Sequence, residues 1–138
     1  MPTQFDFDKF PPAPVLNVRL SFPGDPAPAI NYPALVDTGS DFTIVPLPYL
    51  LSVNALEMRS AMVRGLFSQS QVATLYLVDI HLEIGVLAGI EVIGADEEAD
   101  GFEDEEIILG RNVLNKLYLF LDGPNTQTYL LDRVPRRF

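Results

Sequence analysis

The sequence is 138 residues long, with 48% hydrophobic and 20% charged residues, which suits one globular domain with its own core and excludes a disordered chain. Its formal net charge of -10 argues against nucleic acid or an anionic membrane surface as the main partner. There is no cysteine, so disulfides and thiolate metal sites are excluded and the redox compartment is left open.

Residues 1–13 are polar and then proline-rich, which predicts an extended N-terminal arm. Leu16, Val18, Leu20 and Phe22 alternate with Asn17, Arg19 and Ser21, the pattern of a half-buried strand. A turn at Pro23-Gly24-Asp25-Pro26 leads to a strand over 30–36, where Pro33 predicts an edge or a bulge. After Asp37-Thr38-Gly39-Ser40 the pattern gives a strand over 42–45, then a short helix over 46–51.

Segments 58–64 and 72–80 read as the two strands of a hairpin whose tip is Gly65 to Ser70. Ile80, Leu82 and Ile84 then alternate with Asp79, His81 and Glu83 in a further strand, residues 85–89 turn, and 90–93 returns. Residues 96–106 hold eight acidic side chains in eleven and read as a solvated loop; they lack the alternating spacing of a calcium loop. Ile107 to Leu109 is a short buried strand, and 111–118 reads as a helix with Val113, Leu114, Leu117 and Tyr118 on one face. Leu119 to Leu121 and Tyr129 to Leu131 bracket Asp122-Gly123-Pro124-Asn125, a hairpin signal, before a basic tail at 133–138. Many short strands and one helix predict an all-β, closed, barrel-like domain over 14–132.

Two stretches carry chemistry. In the first, Ala34-Leu35-Val36 runs into Asp37-Thr38-Gly39, an aspartate launched from a buried strand into a tight turn. Such a tripeptide arises by chance in roughly one chain in twenty of this size, so it gains weight from a second stretch. That stretch is Ile107-Ile108-Leu109-Gly110-Arg111-Asn112-Val113-Leu114, about seventy residues later. Together they resemble the retroviral-type aspartic proteases, the retropepsins. That family carries Asp-Thr-Gly followed by Ala or Ser, then a flap hairpin, then Ile-Ile/Leu-Gly-Arg-Asp/Asn opening a helix. The likeness spans roughly residues 14 to 131.

The resemblance implies a fold, an activity and roles for named residues. Asp37 is then the catalytic carboxylate, and Thr38 bonds across a dimer axis. Gly39 presents backbone to substrate. Asp41 and Arg111 form a partly buried ion pair bracing the loop, and Gly110 allows close approach behind the Asp37 turn. Ile108 lines a substrate pocket, with Asp41 and Gly39 beside it, while Gly65, Leu66 and Phe67 close over an extended peptide. This tip holds a single glycine, unlike the glycine-rich flap common in the family. Ser40 stands where retroviral members often carry alanine; a hydroxyl donated to Asp37 would favour a more acidic working pH.

The chain carries one Asp-Thr-Gly, and Asp122-Gly123 cannot serve as a second. Two carboxylates sharing one proton activate water and polarise a carbonyl, so the chemistry requires a homodimer supplying a second Asp37. The expected partner beyond the second copy is an extended peptide or protein, with no nucleic acid, membrane, metal or cofactor. Thr128 to Leu131 is the expected interface strand, since Pro11, Pro12 and Pro14 disfavour the N-terminal arm. His81, the single histidine, lies outward on its strand and lacks triad partners. The start has no basic and apolar signal-peptide pattern and no run is long enough to span a bilayer, so a soluble cytoplasmic protein is expected. The rival to an aspartic endopeptidase is the same fold as a dimerisation or peptide-binding module without turnover. Intact Asp37, Thr38 and Gly39 favour the enzyme.

Overall fold

The computed structural model describes residues 2–64, 70–96 and 106–136. Among these residues ten strands and two short helices follow in chain order: β1 Thr3–Gln4, β2 Val15–Ser21, β3 Tyr32–Val36, β4 Ile44–Pro46, α1 Leu47–Ser52 and β5 Leu56–Arg64. Then come β6 Ser70–Leu82, β7 Gly85–Ala95, β8 Ile107–Leu109, α2 Arg111–Leu114, β9 Tyr118–Asp122 and β10 Gln127–Leu131. One sheet runs β2-β3-β8-β4-β7-β6-β5, and an extra β2–β6 pairing closes its first six strands into a barrel. Closure removes the free edges an open sheet would expose. Strand β5 stays outside, paired among the described residues with β6 alone. The remaining strands form a separate sheet, β1-β10-β9.

Leu16, Val18 and Leu20 of β2, Val45 of β4, Val78 and Ile80 of β6, Val92 of β7 and Leu109 of β8 fill the barrel. Leu50 of α1 and Val113 of α2 plug into the same core. Each such side chain contributes about 1.5–3 kcal/mol when fully buried. Tyr76 lies against Gly94, where burial, with Glu57 and Asp96 nearby, pushes its hydroxyl above the ordinary value of 10.0.

Several expectations are corrected. The alternation of β2 fails at its end: Ser21 is buried and Phe22 exposed, because the Ser21 hydroxyl turns inward toward the Phe22 and Asp25 carbonyls. Strand β3 is not an edge. It is paired on both sides, but β8 meets it only from Ala34 onward, so Pro33 interrupts no ladder on that side. The strands expected at 72–80 and 80–84 are one strand, β6, with a register shift between Val78 and Ile80. Residues 85–89 belong to β7 rather than to a turn. The helix expected over 111–118 is the four-residue α2, and Tyr118 starts β9. Tertiary pairing of β9 with β10 overrides a helical pattern too short to stand alone.

Candidate active site

Strand β3 lies between β2 and β8, and its parallel pairing with β8 sets Val36 beside Leu109. Both chains therefore leave the barrel side by side, one into Asp37 and the other into Gly110. The Asp37 N–H donates to the Leu109 carbonyl at 3.1 Å, and the Ser40 N–H returns to the Asp37 carbonyl at 3.2 Å, closing the turn. Within it the Gly39 N–H donates to Asp37 Oδ1 at 2.9 Å. Asp37 Oδ2 has no hydrogen-bond partner among the described residues. The carboxylate is half-buried while Thr38 and Gly39 are exposed, so the loop presents one free oxygen at the surface.

The second motif braces the first. The Arg111 N–H donates to the Ser40 carbonyl at 2.8 Å, its Nη1 donates to the Thr38 carbonyl at 2.8 Å, and its Nη2 pairs with Asp41. One guanidinium thus holds both limbs of the loop, a task its rigid fork suits better than a lysine. The pair is not partly buried as expected: the Arg111 side chain is 44% and Asp41 73% exposed in the single chain. Gly110 is buried against the loop, and a Cβ there would collide with the Phe42 carbonyl and lie 2.9 Å from the Ser40 oxygen. Only glycine permits that crossing.

Two residues without an assigned role prove central. Thr43 is fully buried; its hydroxyl accepts from the Gly110 N–H at 3.0 Å and donates to Asn112 Oδ1 at 2.9 Å. The Asn112 oxygen also accepts from the Thr43 N–H at 2.9 Å, and its Nδ2 donates to the Glu91 carbonyl at 2.8 Å. This chain of bonds, anchored on the buried Thr43, locks both motifs to β7. Asn112 lies inside the second quoted stretch and Thr43 four residues after Gly39, where a polar side chain between Phe42 and Ile44 is the signal that marks it.

Ser40 departs from expectation. Its hydroxyl donates to the Phe42 carbonyl at 2.6 Å, not to Asp37, whose donor is Gly39. Ile108 sits half-buried on β8, opposite Ile44. The tip residues Gly65, Leu66 and Phe67 and the acidic residues 97–105 lie outside the described residues. His81 shares a 2.8 Å hydrogen bond with Ser21. No triad results, because both Asp79 oxygens are committed to the backbone N–H groups of Gly24 and Gly89. Among the described residues no group of acidic or histidine side chains could hold a metal, and no helix is long and apolar enough to cross a membrane.

No family model matches the sequence, nor does any curated protein. Solved structures do match the fold. The simian foamy virus (mac) protease superposes with a TM-score of 0.50 at 13% identity, over 74% of this chain and 92% of that one. The EIAV protease, complexed with an inhibitor, gives 0.52 at 18% identity, over 83% and 93%. The chain has the retropepsin fold: an all-β closed barrel, with two short helices among the described residues.

Proposed function

We propose that this chain is one subunit of a homodimeric aspartic endopeptidase. The observation that carries the proposal is the Asp37 carboxylate, held on a braced turn with one oxygen engaged by Gly39 and the other free. A second copy facing it across a two-fold axis supplies the second carboxylate. Brought into close contact, the two cannot both ionise and they share a proton. The ionised member takes a proton from water, whose oxygen attacks the peptide carbonyl carbon. The protonated member donates to the carbonyl oxygen, and collapse of the tetrahedral intermediate, with proton transfer to nitrogen, releases amine and acid.

The supporting residues act through position. Thr38, exposed at the loop tip, bonds across the axis, and Gly39 offers backbone to the substrate. Arg111, Asp41 and Gly110 keep the loop in place. Ile108 and the β5–β6 hairpin, acting as a flap with Gly65, Leu66 and Phe67 at its tip, receive an extended peptide with apolar side chains beside the scissile bond. Segment 14–132 is the protease domain, flanked by the arm and the tail.

The test is cleavage of a diverse peptide pool by wild type and Asp37→Asn from about pH 3.5 to about 7.5, a span that covers carboxylate titration. Cleavage that is acid-favoured, absent from the variant and second-order in subunit supports the enzyme. Equal behaviour of the two proteins removes it.

A further inference from the structure

We infer that a cavity at the end of β3 remote from Asp37 receives a basic side chain of the bound peptide, so that substrates carry a lysine or arginine a few residues from the cleaved bond. The inference rests on the reading of the Asp37 site as a peptide-binding cleft. The cavity measures about 300 Å³, the lower end of the usual size of ligand sites and enough for one long side chain. One wall is aromatic. Tyr32, at the start of β3, and Tyr49, on α1, stack with ring centroids 4.2 Å apart and planes 20° from parallel. Asp6, Asp8 and Glu106 line the remainder, and Lys9 is the one cation among the described lining residues.

Such a lining selects a cation on an apolar stem. Lys9 of the chain itself already shows the chemistry: its Nζ lies 2.9 Å from Glu106 Oε2. It offsets one of three carboxylates and leaves the lining net negative. The arm that carries these side chains is fastened where it meets the cavity. Asp6 and Ala13 exchange backbone hydrogen bonds of 2.8 and 3.1 Å, and Asp6 Oδ1 accepts the Asp8 N–H at 2.9 Å. The carboxylates are therefore held in place. An ammonium or guanidinium gains twice, by pairing with a carboxylate and by lying over a tyrosine face, while its methylenes cover the rings. An anion would be repelled, and among the described residues no acidic group converges to hold a metal ion.

Position relative to Asp37 assigns the cavity to the peptide. Side chains alternate along a strand. In the β3–β8 pair Ala34, Ile107 and Leu109 face the core, so Leu35 and Ile108, opposite each other, face out. Pro33 and Glu106 stand two residues before them, hence on the same outward face, and both line the cavity. One face thus carries the cavity, then Ile108, then the Asp37 turn. The four residues from Pro33 to Asp37 cover about 13 Å, the span of four residues of an extended peptide. A peptide laid along this face with its cleaved bond at Asp37 brings its fourth residue to the cavity. The chain's net charge of -10 draws basic peptides toward it at longer range.

The experiment reads binding by fluorescence anisotropy on the full chain carrying Asp37→Asn, so that no turnover is needed. The probes are pairs of labelled apolar peptides that differ only in arginine or its neutral isostere citrulline, with that residue stepped along the peptide. At one register the arginine member should bind about 10-fold more tightly, the combined worth of one half-exposed ion pair and one cation–π contact. Added salt should shrink the ratio. Asp6→Asn combined with Glu106→Gln should bring it close to one. Lys9→Ala, which frees Glu106 from its resident ammonium, should raise it. Equal binding of both members at every register overturns the inference, as does a preference that survives the carboxylate variants. A preference that appears only when Arg133, Arg136 and Arg137 are replaced by glutamine assigns the cavity to the chain's own tail and overturns it too. Cleavage of the same peptides by wild type separates the two ideas. Arginine preference without any Asp37-dependent cleavage sinks the protease and leaves the cavity standing. Asp37-dependent cleavage indifferent to arginine does the reverse.

Discussion

Two aspartates of this chain are treated in opposite ways by the fold. Asp79 is 5% exposed, and each of its oxygens accepts one backbone N–H at 2.8 Å, from Gly24 and from Gly89. Both glycines hold positive φ, +88° in the turn after β2 and +62° within β7, which aims their N–H groups inward. Asp37 has one oxygen bonded to its own loop and the other without a partner, on a turn exposed at its Thr38-Gly39 tip. A buried carboxylate with both oxygens engaged by backbone N–H groups ties segments together and is shielded from a substrate. A carboxylate held by a braced loop, with an oxygen to spare, is equipped for proton transfer. Burial and the satisfaction of hydrogen bonds, rather than residue type, divide the two.

The same substitution at both positions is the sharpest way to break that division. Asp37→Asn should lower peptide cleavage by about 10²- to 10⁴-fold or more, the usual worth of an acid–base group. Its urea midpoint should barely move. Asp79→Asn should do the opposite, costing about 3 kcal/mol in urea unfolding, because an amide NH₂ now faces a backbone donor. A stable Asp79→Asn protein, or an unfolded Asp37→Asn one, would collapse the distinction. Thr43→Val tests whether the Asp37 loop owes its position to the buried bonds behind it. Loss of the acceptor for the Gly110 N–H should cost about 1–3 kcal/mol and reduce kcat. Unchanged stability would mean that Gly110 finds another partner. The smallest effect is expected at Asp41→Asn. Its ion pair with Arg111 is solvent-exposed, so the stability change should be under about 1 kcal/mol. Because Arg111 keeps its bond to the Thr38 carbonyl, a large loss there would show that the loop depends on the ion pair itself.

Asp37-Thr38-Gly39 and Gly110-Arg111 were legible because their spacing in sequence reflects adjacent exits from paired strands. The barrel was legible from short alternating runs such as Leu16, Val18 and Leu20. Asp79 was not. Alternation assigns it outward beside His81, but the register shift between Val78 and Ile80 turns it into the protein, and a bulge leaves little trace in a hydrophobic pattern. Ser21 and Phe22 exchange places for a similarly local reason, a hydroxyl seeking carbonyls in the next turn. Tyr118 looked helical because a four-residue run of helix and the start of a strand share apolar spacing over so short a stretch.

The sequence by itself determined the all-β class, the single Asp37 per chain and the requirement that any two-carboxylate chemistry involve two chains. These follow from residue type, count and local periodicity. Only the tertiary structure decided that Gly39 rather than Ser40 bonds Asp37, that Thr43 and Asn112 fasten both motifs to β7, and that β10 lies between β1 and β9 in the second sheet. Hydrogen-bond direction and strand order depend on how distant segments meet, and that information is spread over the whole chain rather than written in any one stretch of it.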